Sequence, residues 1–338
     1  MRILLIMDAA IPVPPPLYGG HERLVAMFAE EYEKLGHEVS LLSGPGSVWK
    51  RLYVYGKNGY FKSKKQRIKE LIQVWNYLYH HHHEYDLIHN FGRLLYLTPV
   101  LNKSSKKIMT YGRDVTGWAI KRINLLPQQH LIFTACSNYC VSTGNIAGTW
   151  RTVYNAIDFS KYELKEQVEK NAPLMFLGRI EEIKGPHIAI KVALATGNKL
   201  WIAGNIDAAH QHFFDLEIKP YLDESNIIYL GAVNDEQKNV YLGKAKALLF
   251  PIAWEEPFGM VMVEAMACGT PVIAFPRGAV VEVVKEGETG FIVADEANMI
   301  KKVKEIQSIN RLNCRDLAKR RFDVSIIAAE YLNLFKYD

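Results

Sequence analysis

The sequence predicts an α/β protein of two doubly wound domains, each a parallel sheet covered by helices. Three observations carry this expectation. Short β-rich runs alternate with helix-length segments along the chain. The runs are apolar at successive positions, as in strands buried on both faces. The alternation also restarts after a stretch without apolar periodicity, in a 338-residue chain too long for a typical single core.

The first strand is RILLIMDA (2–9), followed by an amphipathic helix HERLVAMFAEEYEKLG (21–36) that Gly36 closes, then HEVSLLS (37–43). Further strands are expected at YDLIHN (85–90), KKIMTY (106–111), LIFTAC (131–136) and RTVYN (151–155). Periodicity fades over IDFSKYELKEQVEKNA, which places a domain boundary near residues 156–172. The second series reads PLMFLGR (173–179), KLWIAGN (199–205), NIIYLGA (226–232), ALLFP (247–251), TPVIAF (270–275) and GFIV (290–293). Open sheets of this kind bind ligands beyond the carboxyl ends of their strands, so two of them facing a cleft can each hold one substrate.

Composition excludes several classes. The chain is 49% hydrophobic and 23% charged with a formal charge of +5, too mild to indicate a nucleic-acid binder. Four cysteines make no disulfide framework, and Cys136 and Cys140 lack the second pair a zinc site needs. All four read as small hydrophobes in a reducing compartment. The apolar run after Arg2 ends at Asp8, too short for a signal peptide, and no run is long enough to span a membrane. The expectation is a cytoplasmic protein.

The chemistry concentrates in EEPFGMVMVEAMACGTPVIAF (255–275). Glu264 sits in an otherwise apolar helical run, and an unpaired buried carboxylate costs roughly several kcal/mol. Alone, it reads as an edge residue or one satisfied by a backbone amide. Its context differs: Glu256, Pro257 and Gly259 stand at the start of a helix expected near Phe258, whose first amides form a positive end suited to phosphate or sugar oxygens. At about 1.5 Å rise per residue the two carboxylates stand on the order of 10 Å apart, too far for a dyad sharing a proton. That spacing suits an extended ligand, with a ribose diol donating to Glu264.

Two further features support this. FLGRIEEIKGPH (176–187) puts Arg179 and Lys184 beyond the first strand of the second series, where two cations can neutralise a diphosphate leaving group. Taken alone they are ordinary surface charges beside Glu181 and Glu182. In PPPLYGGHERL (14–24), Gly19 and Gly20 let backbone approach a phosphate or sugar before a helix, though a Gly-Gly pair in a tight loop is weak evidence.

Together, FLGRIEEIKG, NIIYLGAV, the E-x7-E run from Glu256 to Glu264 and GETGFIV resemble the retaining glycosyltransferases of family 4, which have the two-domain GT-B fold. YGGHERLVAMFAEEYEKLGHEVSLLS, DLIHN and VYNAID carry a more diffuse resemblance in the first half. The resemblance implies an acceptor-side domain over 1–158, a nucleotide-sugar domain over 159–322 and a C-terminal helix over 323–338 that packs back on the first. It implies that Glu264 holds the ribose, that Glu256 meets the donor sugar, and that Arg179 and Lys184 bind the diphosphate. The backbone of Phe258, Gly259, Met260 and Val261 would hold sugar and phosphate oxygens, the loop around Leu230 the base, and Gly19 and Gly20 the phosphates.

It further implies transfer with retained configuration from a UDP- or GDP-linked sugar, with no metal and no cofactor beyond that co-substrate. The chain agrees on the metal, since no two aspartates stand two residues apart. One departure concerns the acceptor side. Many relatives carry a histidine after the strand IMTY, where this chain has TYGRDV with Tyr111 and Asp114. His89 in DLIHN offers an imidazole instead, although a lone histidine at a strand end is more often structural.

The run HHHH (80–83) reads as a polar helix end. Residues 50–69 hold eight Lys or Arg and no acid, interleaved with aromatics: a solvated loop and helix start, or a patch that meets anionic lipid at the inner membrane face. The rival activities are a nucleotide-sugar epimerase or hydrolase on the same fold, a non-catalytic sugar-nucleotide binder, and an oxidoreductase, which the missing G-x-G-x-x-G disfavours.

Overall fold

The computed structural model describes residues 1–335 except 17, 18, 116 and 145. Leu17 and Tyr18 of the proline-glycine stretch, and the last three residues of the C-terminal segment, therefore lie outside the described residues. The chain divides into two compact units, 1–156 with 324–338, and 157–323.

The first unit runs β1 (Arg2–Ile6), α1 (Gly20–Lys34), β2 (Glu38–Ser43), β3 (Leu52–Val54), α2 (Lys64–His81), β4 (Leu87–Asn90), β5 (Lys106–Tyr111), α3 (Gly117–Ile123), β6 (Leu131–Ala135), α4 (Asn138–Gly144) and β7 (Trp150–Thr152). Its strands form one sheet in the order β3-β2-β1-β4-β5-β6-β7, parallel throughout. Leu24, Phe28 and Tyr32 recur at four-residue spacing and bury one face of α1. The histidine run ends α2 and enters a short 3-10 turn.

Strand β3 is the one strand not anticipated. It lies inside the basic stretch read as loop and pairs at the sheet edge, Leu41 opposite Leu52. Three residues flanked by charge give no readable period, and the pairing supplies what the local sequence does not.

The second unit runs β8 (Leu174–Leu177), α5 (Pro186–Thr196), β9 (Leu200–Ala203), α6 (Gln211–Glu217), β10 (Ile227–Gly231), α7 (Asp235–Lys244), β11 (Ala247–Phe250), α8 (Met260–Ala267), β12 (Val272–Ala274), α9 (Val280–Val283), β13 (Gly290–Ile292), α10 (Glu296–Glu305) and α11 (Arg311–Phe322). Its sheet, again parallel, has the order β10-β9-β8-β11-β12-β13. The last helix, α12 (Val324–Asn333), belongs to the first unit, where buried Tyr331 meets Phe28 edge-on at 5.3 Å.

Strand order reverses between β1 and β4 in one sheet and between β8 and β11 in the other. At such a switch point the loops leaving the two strands diverge and open a crevice. Behind β8 and β11 these loops carry Arg179 to Lys184 and Glu255 to Gly259.

Candidate active site

Helix α8 starts at Met260, two residues later than expected, because Gly259 takes a left-handed conformation with φ of 81°. Phe258 is anchored beneath the loop, its ring edge-on to Phe322 at 5.6 Å. Gly259 is buried, whereas Met260 and Val261 are half-buried.

Glu264 lies in the second turn of α8 and is buried. It is not satisfied by a backbone amide. Lys238 on α7 reaches its Oε1 at 2.6 Å, and the Tyr162 hydroxyl donates to the same oxygen at 3.1 Å. Oε2 makes no hydrogen bond or ion pair among the described residues. Burial works against the Lys238 ammonium, but Glu264 and Asp235 more than offset it and hold its pKa above the usual lysine value. Burial, then the Glu264 charge, raises the Tyr162 phenol, which stays a donor.

Two arginines of α11 hold the segment bearing Tyr162. Arg315 donates to Tyr162 O and Phe159 O, each at 2.9 Å, and Arg311 donates to Lys165 O at 2.6 Å and Thr270 Oγ1 at 2.7 Å. These charge-assisted bonds fix a stretch that has little regular structure of its own.

At the switch point the predicted residues pair with one another. Lys184 Nζ sits 2.8 Å from Glu256 Oε2, which also accepts from Trp254 Nε1 at 3.0 Å. Lys184 lies over the Trp254 ring, 4.8 Å from its centroid. Arg179 pairs with buried Glu181 at 2.5 Å, leaving its own side chain partly exposed. Neither cation is thus a plain surface charge. Leu230 is half-buried near the carboxyl end of β10.

In the first unit, Gly19 caps α1 and Gly20 begins it. A Cβ on Gly19 would stand 2.7 Å from Pro15 Cβ, so that glycine is a packing requirement. One on Gly20 would meet open space. Tyr111 ends β5, half-buried against Trp150, and Asp114 is exposed.

His89 corrects the acceptor-side expectation. It is fully buried, its ring nitrogens are hydrogen bonded with Tyr32 Oη at 3.3 Å and Thr110 Oγ1 at 2.8 Å, and burial pushes its pKa down to about 3. An imidazole with both nitrogens engaged and no route to solvent is a core side chain. The imidazole near TYGRDV is His21 instead, from α1. A Cβ on Gly112 would stand 1.5 Å from its Nε2, so the absent side chain at Gly112 is what admits the ring. Burial, then Arg113, lowers the His21 pKa to about 4, so it is neutral near pH 7. Lys238, Tyr162 and His21 were missed from the sequence. The capping pair Asn234 and Gln237 marks the start of α7, but nothing local points Lys238 at Glu264.

Among the described residues no three His, Cys, Asp or Glu side chains cluster as a metal site would require. None of the four cysteines is disulfide-bonded.

Residues 160–321, just under half the chain, match the family model described as glycosyl transferases group 1. Among curated proteins, an uncharacterized 41.2 kDa protein in the cps region of Klebsiella pneumoniae is 26% identical over 294 residues, covering 75% of this chain and 80% of that one. Sucrose-phosphate synthase from Thermosynechococcus elongatus superposes with a TM-score of 0.77 at 20% identity, covering 99% of this chain and 98% of its own. HepE from Anabaena, solved in complex with UDP-glucose, gives 0.72 at 19% identity over 100% of both chains. The structural likenesses show the fold: two Rossmann-like units of the GT-B type.

Proposed function

We propose that this chain, whose second unit is of the group 1 glycosyl transferase kind, is a retaining, metal-independent enzyme that moves a sugar from a nucleotide diphosphate to a glycan, lipid-linked or small-molecule acceptor. The observation that carries the reading is Glu264. Two side chains hold one of its oxygens and leave the other, in the second turn of a helix that opens on a glycine. A carboxylate fixed in this way accepts from a ribose diol without first being desolvated, because Lys238 has already compensated its burial.

Phosphate oxygens have two cations at the same switch point. Lys184 exchanges part of its pairing with Glu256 for the diphosphate, and Arg179 adds the second charge. As the glycosidic bond to the leaving diphosphate breaks, these cations and the positive end of α8 stabilise the charge that develops on it. Glu256, relieved of Lys184, turns to the sugar hydroxyls. We assign the acceptor to the first unit, where His21 is a neutral imidazole that makes no hydrogen bond among the described residues.

A UDP-linked donor is favoured, since HepE of the same fold was solved with UDP-glucose. The test is thermal stabilisation by UDP, GDP, ADP and their sugar derivatives without metal, for the wild type and Glu264→Ala. A ligand at a hundred times its Kd adds about 2.7 kcal/mol to native stability. One nucleotide family should raise Tm in the wild type and not in the variant. No shift with any of them would remove the donor site. Turnover of donor without any acceptor would favour the epimerase or hydrolase, and an inverted anomeric product would exclude retention.

A further inference from the structure

The exposed side of α2 in the first unit has no part in the donor site. Its inner face buries Glu70, Val74 and Leu78. At about 100° per residue, Ile68, Ile72 and Tyr79 fall together on the opposite side. All three are largely exposed, at 57, 55 and 69%. Phe61, just ahead of the helix, is fully exposed. An apolar stripe facing away from the core calls for a partner.

The charges beside it say which. Lys64, Lys65, Arg67 and Lys69 are exposed and make no ion pair among the described residues. Three other cations of the basic stretch are spoken for: Lys50 by Glu33, Arg51 by Glu38 and Lys62 by Glu70. Glu70 is the one acid in α2 and it points inward, so the outer face carries no negative charge. At 18 residues with this charge, α2 is not a span: no described helix is long and apolar enough to cross a membrane.

We propose that the outer face of α2, led by Phe61, docks on an anionic lipid bilayer. Ile68, Ile72 and Phe61 enter the acyl boundary, and Lys64, Lys65 and Lys69 lie at the headgroups. Each such lysine is drawn to an anionic surface, an attraction that salt screens. The inference stands apart from the sugar-transfer reading, because its readout is lipid binding and not turnover.

The test is flotation of the full chain with vesicles of phosphatidylcholine, alone or mixed with phosphatidylglycerol. Binding should require the anionic lipid. It should fall by roughly tenfold or more in Lys65→Glu/Lys69→Glu, and similarly in Phe61→Ser/Ile68→Ser/Ile72→Ser, with Tm unchanged because these side chains face solvent. Equal binding to both vesicles, or none, would overturn the proposal. So would binding that responds to salt yet ignores the apolar substitutions, which marks adsorption of a basic surface to any polyanion. A concentration-dependent dimer in sedimentation, lost in Ile68→Ser, would give the face to a second copy instead.

Discussion

The carboxylate of Glu264 has its neighbours chosen by tertiary structure. Lys238 stands 26 residues before it and Tyr162 stands 102 before, and no local pattern connects them. The sequence therefore showed that a charge was buried, from the apolar run around it, but not how it was tolerated. The same holds for Lys184 and Glu256, separately legible as polar groups in loops, whose pairing depends on which two strands flank the sheet's reversal. The Lys238–Glu264 pair also makes a quantitative prediction. Removing one partner of a buried pair strands the other, at a cost of roughly 3–5 kcal/mol. Lys238→Met and Glu264→Gln should each destabilise the second unit by about that range, and the double variant by clearly less than their sum. Urea denaturation of the four proteins measures the coupling. Strict additivity would mean that the ion pair contributes nothing in solution.

Among the elements, the loop before α8 carries Glu256 without regular structure of its own. A turn after β12 clamps it. Glu255 accepts from the amide of Gly278, and Ala279 N donates to Glu256 O at 2.8 Å. Gly278 has a φ of 54°, and a Cβ there would stand 2.4 Å from Glu256 O and 2.6 Å from Glu256 N. Only glycine lets the two loops approach so closely. Gly278→Ala should therefore displace the backbone of Glu256, costing about 1–3 kcal/mol of stability. On the proposed reading it should also depress kcat far more than nucleotide binding, because Glu264 lies eight residues further along, in the second turn of α8. Calorimetry beside a nucleotide titration separates the effects; wild-type turnover in a folded variant would show that the clamp is idle. The strands were readable where they are continuous apolar runs, because period and length suffice for a buried parallel strand. β3 was not, because three residues at a sheet edge, two of them exposed, acquire their conformation from β2.

At the scale of the whole molecule, the titrating groups are divided between the units, so pH should act on them from opposite ends. His89 and His21 are both in the first unit, with pKa values lowered from 6.5 to about 3 and about 4. A histidine depressed in the folded state leaves stability intact above its unfolded pKa. As pH falls below 6.5, the unfolded chain takes up a proton that the folded chain refuses, and stability declines until the folded value is reached. For fully buried His89 the slope approaches about 1.4 kcal/mol per pH unit. Glu22, raised by burial, works the other way but only from its ordinary value of 4.5 upward, and it offsets part of the decline. The second unit has a lowered histidine in His187, only partly buried. Its Lys238 is raised, so that contribution persists below the ordinary lysine value of 10.5 and is lost only as pH climbs through the higher folded one. Between pH 7 and 5, then, the first unit should loosen while the second holds. Hydrogen exchange resolved by peptide, corrected for the intrinsic pH dependence of exchange, should show protection falling across residues 1–156 and little change across 157–323. His89→Gln should flatten that fall, since a side chain with no proton to refuse removes the linkage along with the imidazole. Equal loss in both units would mean that the two unfold as one cooperative body and that the histidines act on the whole chain.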